Sequence, residues 1–289
     1  MRAADSARVV YLCAARCAPF VAHKWPTHAL RLTQALCIRN YSNYTLAWSN
    51  SLNVQKDFDY WEEVNPGVSC WDAKGSVDPD SRSRNLQLAH QLLWSKLLPS
   101  GQIFDLKPAQ GTQLIWGKYR LSSDSISNSY MTNIRMRDIT VSAGMDAEEL
   151  FKAGSRIGGF ILFPSYRVDK KTTINAARGM STKIGDRMDL TLEGIRRHYR
   201  NEESPLSDVL NRYSDFFELF INFEEYTAFW LLDDLIGSDN RIKYFLPFDG
   251  YKRDAKPIDL QEYLKLKDAT LKFLIARSER MHRWIENRC

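Results

Sequence analysis

The chain has no apolar run approaching the roughly 18 residues that a membrane-spanning helix needs, so a helical anchor within it is not expected. It has no G-x-x-x-x-G-K-[ST], no G-x-G-x-x-G and no H-E-x-x-H, the patterns that cradle nucleotide phosphates or hold catalytic zinc. The hydroxyl-rich stretch Ser122, Ser123, Asp124 and Ser125 has no G-x-S-x-G around it, which argues against a strained nucleophile turn. Cysteine is scarce: Cys13, Cys17, Cys37, Cys70 and Cys289. One C-x3-C without a second pair or histidine partners is a poor zinc signature. We read these residues as free thiols of a reducing compartment. No cofactor and no metal is expected.

Basic excess is also missing from most of the chain. The net charge is +5, but the first 45 residues carry six Lys/Arg and one acid, and the rest balances at 34 and 34. A broad phosphate-tracking surface is therefore not indicated for the body. The first 45 residues read as an N-terminal extension outside the fold. Their Arg-rich, acid-poor composition also fits a transit peptide or a start placed too early, although no methionine follows Met1 until Met131. Residues 46–289 read as a single domain.

What the chain does have is a substantial aromatic content, 12% with eight tryptophans, suited to a large packed core. Residues 44–75 read as irregular and partly strand. SRSRNLQLAHQLLWSKLL reads as a helix over 81–98, with His90 satisfied locally. QIFDL and QLIWGKYRL read as extended, residues 145–153 as a short helix, and FILFPS as a buried strand. VDKK suggests a hairpin turn with TTINAA returning as a strand. Helices are expected over 181–200, 205–220 and 223–236. Ser204 is placed as N-cap of the second, with Pro205 at its first helical position, and the third starts at Asn222 and stops at Gly237. IKYFLPF reads as a strand, and Asp259 opens a final helix to about Glu286. Strands come early and helices late without βα alternation, which predicts an α+β fold: a small mixed or antiparallel sheet followed by a helical C-terminal half.

The stretch TINAARGMSTKIGDRMDLTLEGIRRHYR, residues 173–200, concentrates five arginines, three acids and a histidine. In a helix over 181–200, Ile184, Met188, Leu192, Ile195 and Tyr199 form the core stripe. Asp186, Asp189, Glu193, Arg196, Arg197 and Arg200 form a charged flank whose order suits i,i+4 pairing in water. A third strip, Arg187, Thr191, Gly194 and His198, stacks on one side, and its glycine opens space there. With Asn175 and Arg178 from the preceding segment, these residues define a candidate basic pocket. Residues 165–200 hold nine Lys/Arg against four acids, a local +5. A second, weaker pattern is Arg277-x4-His282, which repeats the arginine–histidine spacing of helical HEPN-type ribonucleases.

LLWSKLLPSGQIFDL, YRLSSDSI, GGFILFPSYRVDKKTTINAARG and DRMDLTLEGIRRHYR followed by NEESPL together resemble an uncharacterised bacterial family, a domain of unknown function. The resemblance spans about residues 78–286. It implies an intracellular bacterial protein and brings no activity or catalytic residue with it. The expectation is thus a soluble, cytoplasmic protein that binds a phosphate-bearing or other anionic ligand at Asn175, Arg178, Arg187, Thr191 and His198. That ligand is a small molecule or a nucleic acid. Two alternatives stay open: a ribonuclease-type toxin or anti-phage effector with His198 as acid/base, and a non-catalytic module that contacts a protein partner of unknown identity.

Overall fold

A computed structural model describes residues 59–67, 79–108, 114–126, 138–141 and 148–286. All of these belong to the segment Ser49–Cys289. The N-terminal 45 residues, all five cysteines and most of 44–75 lie outside the described residues. The elements are α1 (Tyr60–Val64), α2 (Pro79–Arg82), α3 (Arg84–Trp94), β1 (Lys96–Leu97), β2 (Ile103–Phe104), β3 (Lys107–Pro108), β4 (Leu114–Trp116), β5 (Tyr119–Ser125), α4 (Glu148–Gly154), β6 (Phe160–Pro164), α5 (Ile174–Met180), α6 (Met188–Tyr199), α7 (Ser207–Arg212), α8 (Ser214–Phe217), α9 (Phe223–Phe229) and α10 (Leu260–Glu286). Strands β1 and β2 pair as a small antiparallel ribbon, and β3-β4-β5-β6 form an antiparallel four-stranded sheet. With its helical second half, the fold is α+β.

Strand β6 is buried on both faces, as its unbroken apolar run requires. It pairs with β5 in a register that sets Ser122 opposite Phe163, Ser123 opposite Leu162 and Asp124 opposite Ile161. The glycines before it permit close approach. A Cβ on Gly158 would lie 2.2 Å from the Ser278 hydroxyl of α10, and one on Gly159 would lie 1.9 Å from the Gly154 carbonyl. The long helix can therefore pack directly on the entry to β6.

Several expected elements differ. The 81–98 helix breaks at Ser83, whose Oγ accepts from Leu86 N at 3.0 Å and so caps α3. It ends at Trp94, and Lys96–Leu97 leaves as β1. QLIWGKYRL is two strands, not one. Its Gly117-Lys118 pair turns a hairpin with Trp116 opposite Tyr119, and Gly117 sits at φ +55°. TTINAA does not return as a strand, because Thr173 caps a helix there with its hydroxyl on Ala176 N at 3.3 Å. VDKK is a single tight helical turn with Asp169 and Lys170 at positive φ. IKYFLPF is irregular apart from one bridge, Ile236 to Ile242. The turns at 181–187 and 204–206 delay the first two expected helices to Met188 and Ser207, so Ser204 and Pro205 lie before the second, which also breaks at Tyr213; the third ends at Phe229, and only a short helical turn, Asp233–Leu235, follows. Asn222 and Asp259 do cap their helices, accepting from Glu225 N and Glu262 N at 2.8 Å each.

Candidate functional site

Strand β5 alternates its side chains between two faces, and each face is wired to a different helix. Ser123 faces α2 and α3. Its hydroxyl lies 2.7 Å from Asp80 Oδ1 and 2.8 Å from His90 Nε2, while His90 Nδ1 accepts from Trp94 Nε1 at 2.9 Å. An indole nitrogen only donates, so neutral His90 carries its proton on Nε2 and donates to Ser123, which donates to Asp80. The residue types are those of a hydrolase triad, but the bonds run the wrong way. A base must accept from the nucleophile, and here the histidine cannot. Burial, reinforced by the charge of Arg277, pushes His90 down to about 3. The histidine is thus locally satisfied.

Ser122 and Asp124 face α5. Asn175 and Arg178, one helical turn apart on α5, meet them in register: Asn175 Nδ2 approaches Ser122 Oγ at 3.4 Å, and Arg178 Nη1 pairs with Asp124. The arginine is fully buried. Its Nε donates to Thr191 Oγ1 at 2.9 Å and its Nη2 to the Asp186 carbonyl at 3.0 Å. The turn before α6 presents that carbonyl, with Gly185 at φ +51° and Asp186 at φ +58°. Thr191 passes its own proton to the Arg187 carbonyl at 2.8 Å. Desolvation lowers the Arg178 pKa, partly offset by Asp186. Five guanidinium N–H groups therefore meet three acceptors, leaving one N–H on each terminal nitrogen. Asn175 Oδ1 is buried without a partner among the described residues. The Asp124 side chain is 18% exposed and marks the solvent edge of this array.

Arg187 lies at the neighbouring end of α6 and faces elsewhere. Its Nε and Nη2 grip Asp189 at 3.1 and 2.5 Å, and Nη1 reaches the Ala255 carbonyl at 2.9 Å. Asp189 also accepts from Phe245 N at 2.9 Å. Glu193, one turn on, holds Arg196 and Arg197 at 2.8 Å and the Tyr244 hydroxyl at 2.8 Å. Asp189 and Glu193 are wholly buried, so the charged flank of this helix is not a solvated one. Residues 244–255 cover it, and the Tyr251 ring lies 5.2 Å from the Arg197 guanidinium. The local cationic excess is largely spent: Arg178, Lys183, Arg187, Arg196 and Arg197 are all in ion pairs.

Asn175, Arg178 and Thr191 thus converge, Arg187 joins them through its backbone, and His198 does not. The α6 helix runs unbroken from Met188 to Tyr199, which carries His198 two turns beyond Thr191. There His198 Nδ1 pairs with Asn211 Oδ1 at 3.1 Å and its ring lies 5.2 Å from that of Phe217. Burial lowers its pKa, with Asn211 and Glu218 opposing. The gap at Gly194 is filled, because a Cβ there would lie 3.3 Å from Leu206 Cδ1. Arg277 also has a structural task. It donates to the carbonyls of Gly158, Phe160, Trp230 and Leu231 at 2.7, 2.8, 3.1 and 3.2 Å. Asp124 and Ser122 were not singled out as ligand-site residues; their period-two spacing on a strand ending beside an arginine-bearing helix was the available signal.

A family of unknown function, DUF6994, matches residues 50–281. The chain belongs to this family. No curated protein and no solved structure matches it. The DUF6994 match takes in β5, α5 and α6 together, so the whole strand–helix array is part of the family's domain, and residues 1–49 fall outside it. No helix among the described residues is long and apolar enough to cross a membrane, and no group of three or more His, Cys, Asp or Glu among them is placed to hold a metal ion.

Proposed function

We propose that this protein binds a small oxyanion-bearing ligand, such as a phosphate monoester, through Arg178 and Asn175, and that it does so without turning it over. The observation that carries this reading is a pair of unmet needs on one face of α5. Among the described residues, Arg178 keeps two donors unused, and Asn175 Oδ1 is a buried acceptor with no partner. Leaving either uncompensated is costly. A ligand that both accepts and donates answers both needs, and the oxygens of a phosphate carrying one proton do so. Asp124 already balances one unit of the arginine's charge, which favours that protonated form over the dianion. Thr191 holds the guanidinium plane by accepting from Nε, and Arg187 fixes Thr191 through its carbonyl.

Binding rather than catalysis is supported by the position of the acid/base candidates. His198 is held by Asn211 away from the array, and His90 donates to Ser123 on the opposite face of β5. The ribonuclease alternative, which needs His198 at the ligand, gains no support from this arrangement. Calorimetric titration with inorganic phosphate and with a panel of sugar phosphates and nucleotides tests the proposal. Binding of the monoesters is expected to tighten as pH falls through their second phosphate ionisation, near 6. Asn175→Ala should weaken it at least tenfold, about 1.4 kcal/mol, and His198→Gln should leave it unchanged. Absence of any phosphate-dependent heat, or full affinity in the Asn175 variant, overturns the reading.

A further inference from the structure

The side of the sheet that carries the Asn175 array continues beyond it. Pairing of β5 with β6 runs one residue past Pro164, since Ser165 N donates to the Arg120 carbonyl at 2.8 Å. The rings of Tyr119 and Tyr166, 6.4 Å apart, form the next opposed pair on the other side. Alternation along each strand then fixes which side chains lie together. Arg120, Ser122 and Asp124 of β5 share a side with Ser165, which stands directly across from Arg120. Directly opposed side chains sit about 5 Å apart at Cβ, so the two are neighbours. Arg120 is also only two residues, about 7 Å, along the strand from Ser122, whose hydroxyl Asn175 meets at 3.4 Å.

Neither member of the Arg120–Ser165 pair is satisfied. Ser165 Oγ is buried with no hydrogen-bond partner among the described residues. Arg120 is exposed and enters no ion pair among them, because Asp124, the acid on its strand, is committed to Arg178. The loop that leads from Ser165 into α5 adds charge of the same sign. Of the nine Lys/Arg in 165–200, its Arg167, Lys170 and Lys171 are exposed and enter no ion pair among the described residues, with Asp169 the one acid between them. The cations of α6 are spent internally. Those at this end are not.

We propose that the ligand of the Asn175 array carries a second anionic group, and that Arg120 and Ser165 receive it. This second subsite rests on phosphate binding at Asn175 and Arg178, and it narrows the ligand class to compounds with two phosphate groups on a sugar-sized spacer. Arg178 meets Asp124 four residues, about 13 Å, along β5 from Arg120. The long side chain of Arg120 shortens that span but does not close it, so adjacent phosphates, as in a pyrophosphate, are too short to bridge it. Charge follows the same division. Asp124 leaves Arg178 room for one negative charge, whereas Arg120 has no counterion and accepts a second through charge-assisted bonds. The Ser165 hydroxyl donates to that group, a bond it lacks in the empty protein. A buried hydroxyl without a partner lowers stability, and only the bound state recovers that loss.

Glucose 1-phosphate, glucose 6-phosphate and glucose 1,6-bisphosphate are the probes, titrated calorimetrically into the full chain at one pH and ionic strength. The bisphosphate should bind at least tenfold more tightly than either monophosphate, well beyond the statistical gain of having two ends to offer. Arg120→Ala, a change at an exposed position, should erase that advantage and leave monophosphate affinity unchanged. Ser165→Ala should reduce the advantage while the melting temperature of the empty protein holds or rises, because no bond is lost. Arg200→Ala removes an exposed cation at the far end of α6 and should change neither quantity, which separates a subsite from a general field. Equal affinity for mono- and bisphosphates overturns the second subsite while phosphate binding at Asn175 stands. So does an advantage that survives Arg120→Ala or falls as far in Arg200→Ala. A lower melting temperature in Ser165→Ala removes that hydroxyl from the subsite, and absence of heat with every probe overturns both readings.

Discussion

Helices α6 and α10 carry similar densities of charge, yet the carboxylates of α6 are buried while most charged residues of α10, Arg277 apart, reach water. On α10, Lys265, Asp268, Lys272, Glu279 and Arg283 stand exposed, while Tyr263, Leu266, Phe273, Leu274, Met281 and Ile285 face the core. This is the ordinary amphipathic solution. On α6, every residue from Met188 to Ile195 is buried, Asp189 and Glu193 included. The difference lies outside both helices. An irregular segment, residues 244–255, lies over the polar side of α6 and brings its own donors: Phe245 N, the Tyr244 hydroxyl and the Tyr251 hydroxyl on the Leu190 carbonyl at 2.9 Å. Carboxylates can be buried there because arginines and donors arrive with the cover. The comparison teaches that charge pattern sets which pairs can form, and that tertiary cover decides whether those pairs matter energetically.

The sharpest way to break the comparison is Asp189→Ala. It strands Arg187, which is almost wholly buried, and orphans Phe245 N, so a loss of about 3–5 kcal/mol in urea unfolding is expected. Glu193→Ala should cost less, because Arg196 and Arg197 are partly exposed and can turn to water. Protonation gives the next effect. His90 binds a proton near 6.5 when unfolded and near 3 when folded, so the unfolded chain takes up more protons as pH falls. The stability held above pH 6.5 should therefore decline on acidification, by roughly 2 kcal/mol at pH 5. His90→Gln, which cannot titrate, should flatten that limb in urea melts compared at pH 7, 6 and 5. A slope unchanged in the variant would assign the loss to other groups.

Thr173→Ala removes the cap of α5 and should cost about 1 kcal/mol in the same melts. Because α5 positions Asn175 and Arg178, phosphate affinity should fall with it. At the bottom of the scale, Glu279→Ala removes an exposed pair with Arg283 at 3.8 Å on α10. Its effect should stay within about 0.5 kcal/mol. A large effect there would erase the contrast between the two helices.

Much of this was legible in the residues. The unbroken apolar run of FILFPS marked a buried strand, Asn222 and Asp259 marked helix starts, and the spacing of Met188, Leu192 and Ile195 marked the core stripe of α6. The place of His90 within a helix that faces the core made local satisfaction the natural reading. What failed did so for physical reasons. TTINAA has β-branched residues at its start, but the second threonine spends its hydroxyl on a cap, and a side-chain bond of that kind outweighs strand propensity. The hairpin at Gly117-Lys118 was visible as a two-residue break in an alternating run, a signal that a single extended segment ignored. IKYFLPF has the composition of a strand, yet its aromatic residues serve as a lid over polar groups instead of pairing with a neighbour. In the proposed ligand site, Thr191 was readable from helical spacing, and Asn175 and Arg178 from their place in the segment just before that helix. Asp124, Ser122 and the burial of Asp189 were not, because chain-distant segments meet there.

Those meetings also set an order of events during synthesis. The partners that cover α6 follow it by 56, 61 and 68 residues (Phe245 on Asp189, Tyr251 on Leu190, Ala255 on Arg187), and Arg277 reaches back 119 residues to Gly158. Until residues 244–255 have left the ribosome, Asp189 and Glu193 have only arginines and water for company, and α6 has no reason to be buried on that side. Until Arg277 follows, the carbonyls at the start of β6 and the end of α9 are uncapped. Nearly the whole chain must therefore be made before its centre can close. Translation halted anywhere between about residue 200 and residue 260 would release a fragment whose most polar helix is also its least finished, a natural target for chaperones and proteases.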